Sequence, residues 1–248
     1  MNATTEKKKS ELGEIVSIGF QALVIALVIR TLLFQPFNIP SGSMKATLLV
    51  GDYIFVSKYS YGYTKYSVPF ALIPFSGRIW AGMPERGDVA VFRNPKEESN
   101  DYIKRVIGLP GDKIQMKNGV VHINGQPVKR EKIEDWISDE PGDSGRRITR
   151  YRETLPNGRT YETLDLGETF YDNTREYEVP PGHYFMMGDN RDNSQDSRVE
   201  SAVGFVPFEN FIGRAELIFF SLSEGTSIWQ LWLWPTEVRW GRIFSRVR

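Results

Sequence analysis

The chain has 248 residues, 40% of them hydrophobic and 25% charged, and its 31 basic side chains balance 31 acidic ones. That balance argues against a disordered chain, which shows low hydrophobicity with high net charge, and against a nucleic-acid-binding domain, which carries a basic excess. With no Cys and two His, cysteine nucleophiles, thiolate metal centres, iron–sulfur clusters, disulfide frameworks and the common zinc-hydrolase patterns are excluded.

Lys7, Lys8 and Lys9 precede an apolar stretch from Ile15 to Phe34, about 20 residues, which as a helix spans roughly 30 Å, the thickness of a hydrocarbon core. Ser17, Gln21, Arg30 and Thr31 interrupt it, so a buried or interfacial amphipathic helix is the alternative. Arg30, a turn from the end, can snorkel to the headgroups. No small-residue cleavage site follows, and the stretch predicts an uncleaved anchor. The lysines before it, against Lys45 alone in the next twenty residues, predict a cytoplasmic tail at 1–14, a transmembrane anchor at 15–34 and an exported domain at 35–248.

From Gly51 onward short strands alternate with turn residues: Asp52 to Tyr59, Val89 to Phe92, Ile103 to Ile107, Lys113 to Met116, Val120 to Ile123, His183 to Met187 and Ala215 to Phe220. Asn118-Gly119 and Asn124-Gly125 are hairpin turns. The expected fold class is all-β, a mostly antiparallel domain preceded by one N-terminal transmembrane helix. The Pro-broken segment Tyr66 to Met83 reads as an apolar loop or hairpin lying on the membrane. A shift to charged and turn-forming residues at 126–177, including Asp139 to Gly145, predicts an inserted subdomain or extended loops. Four of the six Trp lie between Trp229 and Trp240, interleaved with Arg239, Arg242, Arg246 and Arg248. That run predicts either an interfacial segment or a Trp-rich strand packed in the core.

Three segments carry chemistry. Pro40-Ser41-Gly42-Ser43-Met44 is a polar turn within about 30 Å of the anchor even if fully extended, so a membrane-proximal nucleophile fits it; serines satisfying turn hydrogen bonds are the plainer account. In Asp101-Tyr102-Ile103-Lys104-Arg105-Val106-Ile107, strand alternation sends Lys104 and Arg105 to opposite faces, so one cation points into apolar company. Burial can lower a lysine pKa from about 10.4 by some 3 units, giving a neutral amine able to serve as base to a serine in place of histidine. The loop Gly188-Asp189-Asn190-Arg191-Asp192-Asn193-Ser194-Gln195-Asp196-Ser197-Arg198 fails the EF-hand pattern, with Arg191 third and Ser194 sixth from Asp189. It reads instead as a self-contained network of turns and Asp–Arg pairs. His183, at a strand start, and His122, inside a hairpin, read as structural.

The Ser-Gly-Ser-Met segment after an anchor, Arg86-Gly87-Asp88-Val89-Ala90-Val91-Phe92, Tyr102-Ile103-Lys104-Arg105 with its Gly-Leu-Pro-Gly-Asp tail, and the Gly-Asp-Asn-Arg-Asp-Asn-Ser loop resemble, in order, the boxes of the type I signal peptidases, the bacterial leader peptidases of family S26. The resemblance implies a membrane-bound serine endopeptidase that removes signal peptides from exported preproteins after an Ala-X-Ala-like site. It implies Ser43 as nucleophile, Lys104 as general base, and the Ser43 N–H and Ser41 hydroxyl as oxyanion-hole donors. Ser194 is implied to orient Lys104 by a hydrogen bond, and Arg105, Asp189, Arg191, Asp196 and Arg198 to support the site. Met44 is implied to help form a membrane-facing surface. The implied partners are signal peptides and the lipid bilayer, with no nucleic acid, metal or other cofactor; the implied location is the bacterial cytoplasmic membrane, catalytic domain outward. Lys45-Ala46 departs from the family pattern, where a proline often precedes Thr-Leu. Two rivals bear weighing: a self-cleaving Ser/Lys repressor, which needs a DNA-binding helical domain where this chain has an anchor, and a catalytically inert tethered β module, which leaves Ser43 and Lys104 without a role.

Overall fold

The computed structural model describes residues 11–67, 76–138 and 144–248. Lys7 to Lys9, the middle of the Tyr66–Met83 segment and most of the Asp139–Gly145 stretch lie outside the described residues. Helix α1 spans Glu11–Leu32, and its Gly13–Leu32 window has a mean hydropathy of 2.1 with none of it buried against protein. An apolar helix that no protein covers is consistent with a membrane anchor. It ends two residues short of the expected boundary. Phe34 is not helical but opens strand β1 (Phe34–Asn38), because Pro36 cannot continue a helix and Phe34 instead pairs with Ser57 and meets the Tyr59 ring edge-on at 5.6 Å. The helix end is satisfied from the domain side, with the Tyr63 hydroxyl donating to Leu32 O and the Lys58 N–H to Leu33 O at 3.0 Å.

The body is built from β2 (Asp52–Ser57), β3 (Val89–Arg93), β4 (Asp101–Gly108), β5 (Lys113–Lys117), β6 (Val120–Ile123), β7 (Gln126–Pro127), β8 (Lys129–Lys132), β9 (Trp136–Ile137), β10 (Arg147–Thr154), β11 (Thr160–Asp165), β12 (Tyr177–Glu178), β13 (His183–Met187), β14 (Val206–Pro207), β15 (Phe211–Ser221) and β16 (Ser245–Arg246). The main sheet runs β1-β2-β15-β3-β4-β13-β14, with β16 also on β15. Two smaller sheets run β12-β5-β6-β7 and β11-β10-β8, with β9 on β10. The fold is therefore mostly antiparallel β behind one long apolar helix. Both Asn-Gly pairs turn hairpins with positive φ at each residue, 49° and 73° at Asn118-Gly119 and 53° and 79° at Asn124-Gly125, as a type I′ turn requires.

The described residues of 126–177 form β7 to β11, a 3₁₀ turn and the start of β12, and share the core of the main body. Val128, Leu155, Tyr161 and Tyr177 bury with Ile107, Phe185 and Met187 in one cluster. The C-terminal run is not a packed strand: after β15 it forms 3₁₀ turns and a short helix α2 (Trp234–Glu237), leaving Trp229, Trp232 and Trp240 exposed.

Candidate active site

Beyond β1 the chain enters a 3₁₀ turn, Gly42–Met44, that crosses to β4. Met44 and Leu48 are wholly buried among Ile39, Ile54, Val56 and Ile212, and so pin the turn to the core. This corrects the expectation that Met44 faces a membrane: its side chain is the plug beneath the Ser43 turn. Ser43 is thereby held at the wall of a cleft of about 720 Å³ whose lining includes Ser41, Tyr102, Lys104, Tyr171 and Ser194.

Strand alternation turns Lys104 toward Ser43 and Arg105 toward the loop after β13. Lys104 is 3% exposed, and its Nζ donates to Ser43 Oγ at 2.7 Å and to Ile103 O at 2.9 Å. Burial lowers its pKa from 10.5 to about 8, while the carboxylates of Asp196 and Asp189 hold it from falling further. Lys58 is equally depressed, to about 8, by burial and by Arg30, yet its Nζ donates to the Ser67 carbonyl and, among the described residues, to no hydroxyl. Geometry, not acidity, separates the two lysines. Ser41 Oγ stands 3.5 Å from Ser43 Oγ. Ser43 is the second residue of its 3₁₀ turn, ahead of the first i→i+3 bond, so its N–H has no acceptor within the turn and is free for a ligand oxygen.

The polar loop is not self-contained. Asp196 and Arg198 pair within it, at 2.8 and 2.9 Å, but Asp189 takes both Nε and Nη2 of Arg105 from β4, at 2.8 and 2.7 Å. Arg191 reaches out to Glu153 of β10, with Nη1 at 2.8 Å from its Oε1. The loop looks self-paired in sequence because its charges are near-balanced; in the fold Asp189 and Arg191 find their buried partners on distant strands, and Asp192 is met by the Leu166 N–H and the Thr169 hydroxyl. Burial pushes the Asp196 carboxyl up, but Arg198 and the Gly188 N–H outweigh it and hold it below the ordinary range.

Ser194 lies beside Lys104 in the cleft wall but does not hydrogen-bond it. Its Oγ is buried without a hydrogen bond of ordinary geometry, and its influence falls on the Asp196 carboxylate instead. The amine is oriented by Ser43 Oγ and Ile103 O. His183 and His122 bond to nearby carbonyls of Pro181 and Val120 at 3.0 and 3.1 Å, as structural histidines do. Lys45, at the family departure, is buried and lies 3.7 Å from Glu224. Sequence reasoning missed Glu153, Thr47 and Asn190. Thr47 bridges Asp189 and Arg105, and Asn190 holds the Ser43 turn through Gly42 O. Asn190 was visible inside the quoted loop; Glu153, 38 positions from Arg191, carried no local signal.

The open side of the cleft is a strand edge. Among the described residues β13 pairs with β4 only from Arg105 to Gly108, and no other strand pairs with the Asp101–Lys104 edge that faces the Ser43 turn. A family model for signal peptidase, peptidase S26, matches residues 12–220. The chain is 47% identical over 261 residues to the signal peptidase I of Rickettsia typhi (strain Wilmington), covering 98% of this chain and 96% of the relative. It is 47% identical over 265 residues to the signal peptidase I of Rickettsia canadensis (strain McKiel), covering 100% and 97%. Among solved structures it is similar to a signal peptidase I from Enterococcus faecalis V583, at 26% identity over 53% of this chain and 96% of that chain, with a TM-score of 0.31.

Proposed function

Because this chain belongs to the signal peptidase family, peptidase S26, and is a serine endopeptidase of the signal peptidase I kind, we propose that Ser43 is its nucleophile and Lys104 its general base. The observation that carries this is the 2.7 Å contact between a serine hydroxyl and a buried amine whose pKa has dropped to about 8. Neutral Lys104 takes the Ser43 proton as Oγ attacks the scissile carbonyl carbon, and the carbonyl pair moves onto oxygen opposite the Ser43 N–H and Ser41 hydroxyl. The Lys104 ammonium returns the proton to the leaving amine, which departs and leaves an acyl-enzyme. A water deprotonated by Lys104 then hydrolyses the ester and regenerates Ser43.

The substrate is the end of a signal peptide, bound extended on the free Asp101–Lys104 edge, where main-chain bonds supply affinity and shallow pockets accept the small side chains of an Ala-X-Ala site. Arg105 with Asp189, Arg191 and Arg198 with Asp196 support the site, and Ser194 fills its wall. Helix α1 anchors the domain in the bacterial cytoplasmic membrane, N-terminus inside and catalytic domain outside. A nucleophile close to the anchor meets the cleavage site where a signal peptide leaves the bilayer.

The test is cleavage of a preprotein bearing an Ala-X-Ala site by the detergent-solubilised chain, beside Ser43→Ala and Lys104→Ala with folding checked by thermal melting. Site-specific cleavage, lost in both folded variants, is expected. Retained cleavage in either variant removes the dyad, and an inactive wild type across lipids and preproteins leaves the tethered binding module.

A further inference from the structure

Asn190 donates twice to the nucleophile turn, from Nδ2 to Gly42 O at 3.1 Å and from its backbone N–H to Ser43 O at 3.1 Å. One residue, 4% exposed, thus holds the carbonyls on both sides of Ser43. The Gly42 carbonyl belongs to the same peptide group as the Ser43 N–H, and in a planar trans peptide these two point in opposite directions. Holding Gly42 O against Asn190 therefore turns the Ser43 N–H away from the loop. Asn190 is fixed in its turn by the inserted sheet. Leu164 of β11 donates to Asp189 O and accepts from the Arg191 N–H, both at 3.0 Å, which brackets Asn190 in a one-rung parallel bridge.

Resting on the reading of Ser43 as nucleophile, we propose that Asn190 is a positioning residue for the oxyanion hole: it sets the plane of the Gly42–Ser43 peptide, and strand β11 of the insertion sets Asn190. The Lys45 N–H also donates to Gly42 O, at 3.1 Å, so removing the Asn190 amide loosens the plane without freeing it. The loss of rate is then about 10- to 100-fold, short of the roughly 100- to 1,000-fold that follows deletion of an oxyanion donor.

The experiment uses the full chain in detergent with Asn190→Ala and the volume-filling Asn190→Leu, so that one variant keeps the loop packed. Preprotein cleavage gives kcat and KM, and a substrate-matched peptide aldehyde is compared with its alcohol. With the aldehyde, Ser43 Oγ bonds to the carbonyl carbon, the C=O pair moves to oxygen, and the serine proton passes through Lys104 to that oxygen, which then lies in the oxyanion position. The alcohol forms no such bond. The expected result is a kcat lowered about 10- to 100-fold with KM within about threefold, and aldehyde affinity reduced by the factor lost from kcat/KM. Alcohol affinity and the midpoint of the pH profile stay put. Wild-type kcat in either folded variant overturns the proposal, as does a loss of alcohol affinity and a moved pH midpoint in step with kcat, which marks collapse of the loop. Full cleavage by Ser43→Ala or Lys104→Ala would sink the dyad itself, an outcome separate from any Asn190 result.

Discussion

Keeping a lysine charged inside the fold when its pKa has fallen from 10.5 to about 8 costs roughly 3 kcal/mol. Below pH 8 both folded and unfolded chains hold that proton, so the folded state bears the full penalty. Between about 8 and 10.5 the folded state sheds it first, and stability climbs with pH. Lys104→Met is therefore expected to be inactive yet more stable by about 1–3 kcal/mol at pH 6, with the gain fading by pH 10, as read by urea melts at both values. With Lys104 proposed as the base, activity is expected to follow the same proton in the opposite sense to the penalty, rising through a pH near 8 to a plateau as the amine becomes neutral. Lys58 titrates in the same range, so the profile is measured also in Lys58→Met, where the midpoint should stay in place. A rate flat from about pH 5 to about 9 would remove Lys104 as the base. Strand alternation, being local, separated Lys104 from Arg105 in the sequence but did not choose between them, and both are buried; the family resemblance singled out Lys104. That Met44 plugs the core was not legible, since its burial depends on Ile54, Val56 and Ile212 from other strands.

At the scale of elements, strands β10 and β11 are part of the site's scaffold. The Glu153–Arg191 pair joins β10 to the polar loop, with both side chains under 5% exposed and the Tyr161 hydroxyl donating to Glu153 at 2.7 Å. Arg191→Leu leaves that carboxylate buried with weaker compensation and should cost about 3–5 kcal/mol, whereas the double change Glu153→Met with Arg191→Leu should recover much of it. Equal melting of the single and double variants would show that the pair does not couple insertion and loop. Gly188, where β13 passes into the loop, is a second junction. A Cβ there would lie 2.2 Å from Ser194 Oγ and 2.6 Å from the Ser43 carbonyl. Ser194 can swing away, but the Ser43 backbone cannot without shifting the Ser43 hydroxyl from Lys104, so Gly188→Ala should cost about 1–3 kcal/mol and, with Ser43 proposed as nucleophile, abolish cleavage in the fraction that still folds. The Asn-Gly hairpins were readable because a turn writes its conformation into two adjacent residues. The joining of insertion to loop was not, because it is a pairing of residues that only the fold makes neighbours.

Across the whole molecule, an aromatic path connects the end of α1 to the C-terminal Trp segment. Phe34 approaches Phe55 at 6.1 Å, Phe55 stacks on Phe219 at 4.2 Å, Tyr53 meets Phe219 and Phe220 at 6.1 and 6.0 Å, and Phe220 meets Trp234 at 4.9 Å. These rings are half-buried on β1, β2, β15 and α2, and Trp229 and Trp232 of the same C-terminal segment are exposed. Trp80, also exposed, packs edge-on against Tyr63, whose hydroxyl reaches Leu32 O at the helix end. Exposed Trp and Tyr joined to an anchor are the composition of a membrane interface, where an apolar ring and a polar edge are both satisfied. The tail also has an internal task, because Arg242 pairs with buried Asp52 at 2.6 Å and Arg248 O accepts from Arg105 at 3.0 Å. Deleting it would thus disturb the fold as well as the surface, and point changes separate the two. In a form beginning at Phe34, Trp229→Ser with Trp232→Ser should leave the melting temperature within a few degrees, since neither ring is packed, while weakening association with anionic vesicles by about tenfold or more. Unchanged vesicle binding would mean that the Trp229 and Trp232 rings do not engage lipid, and that this form meets the bilayer through another surface.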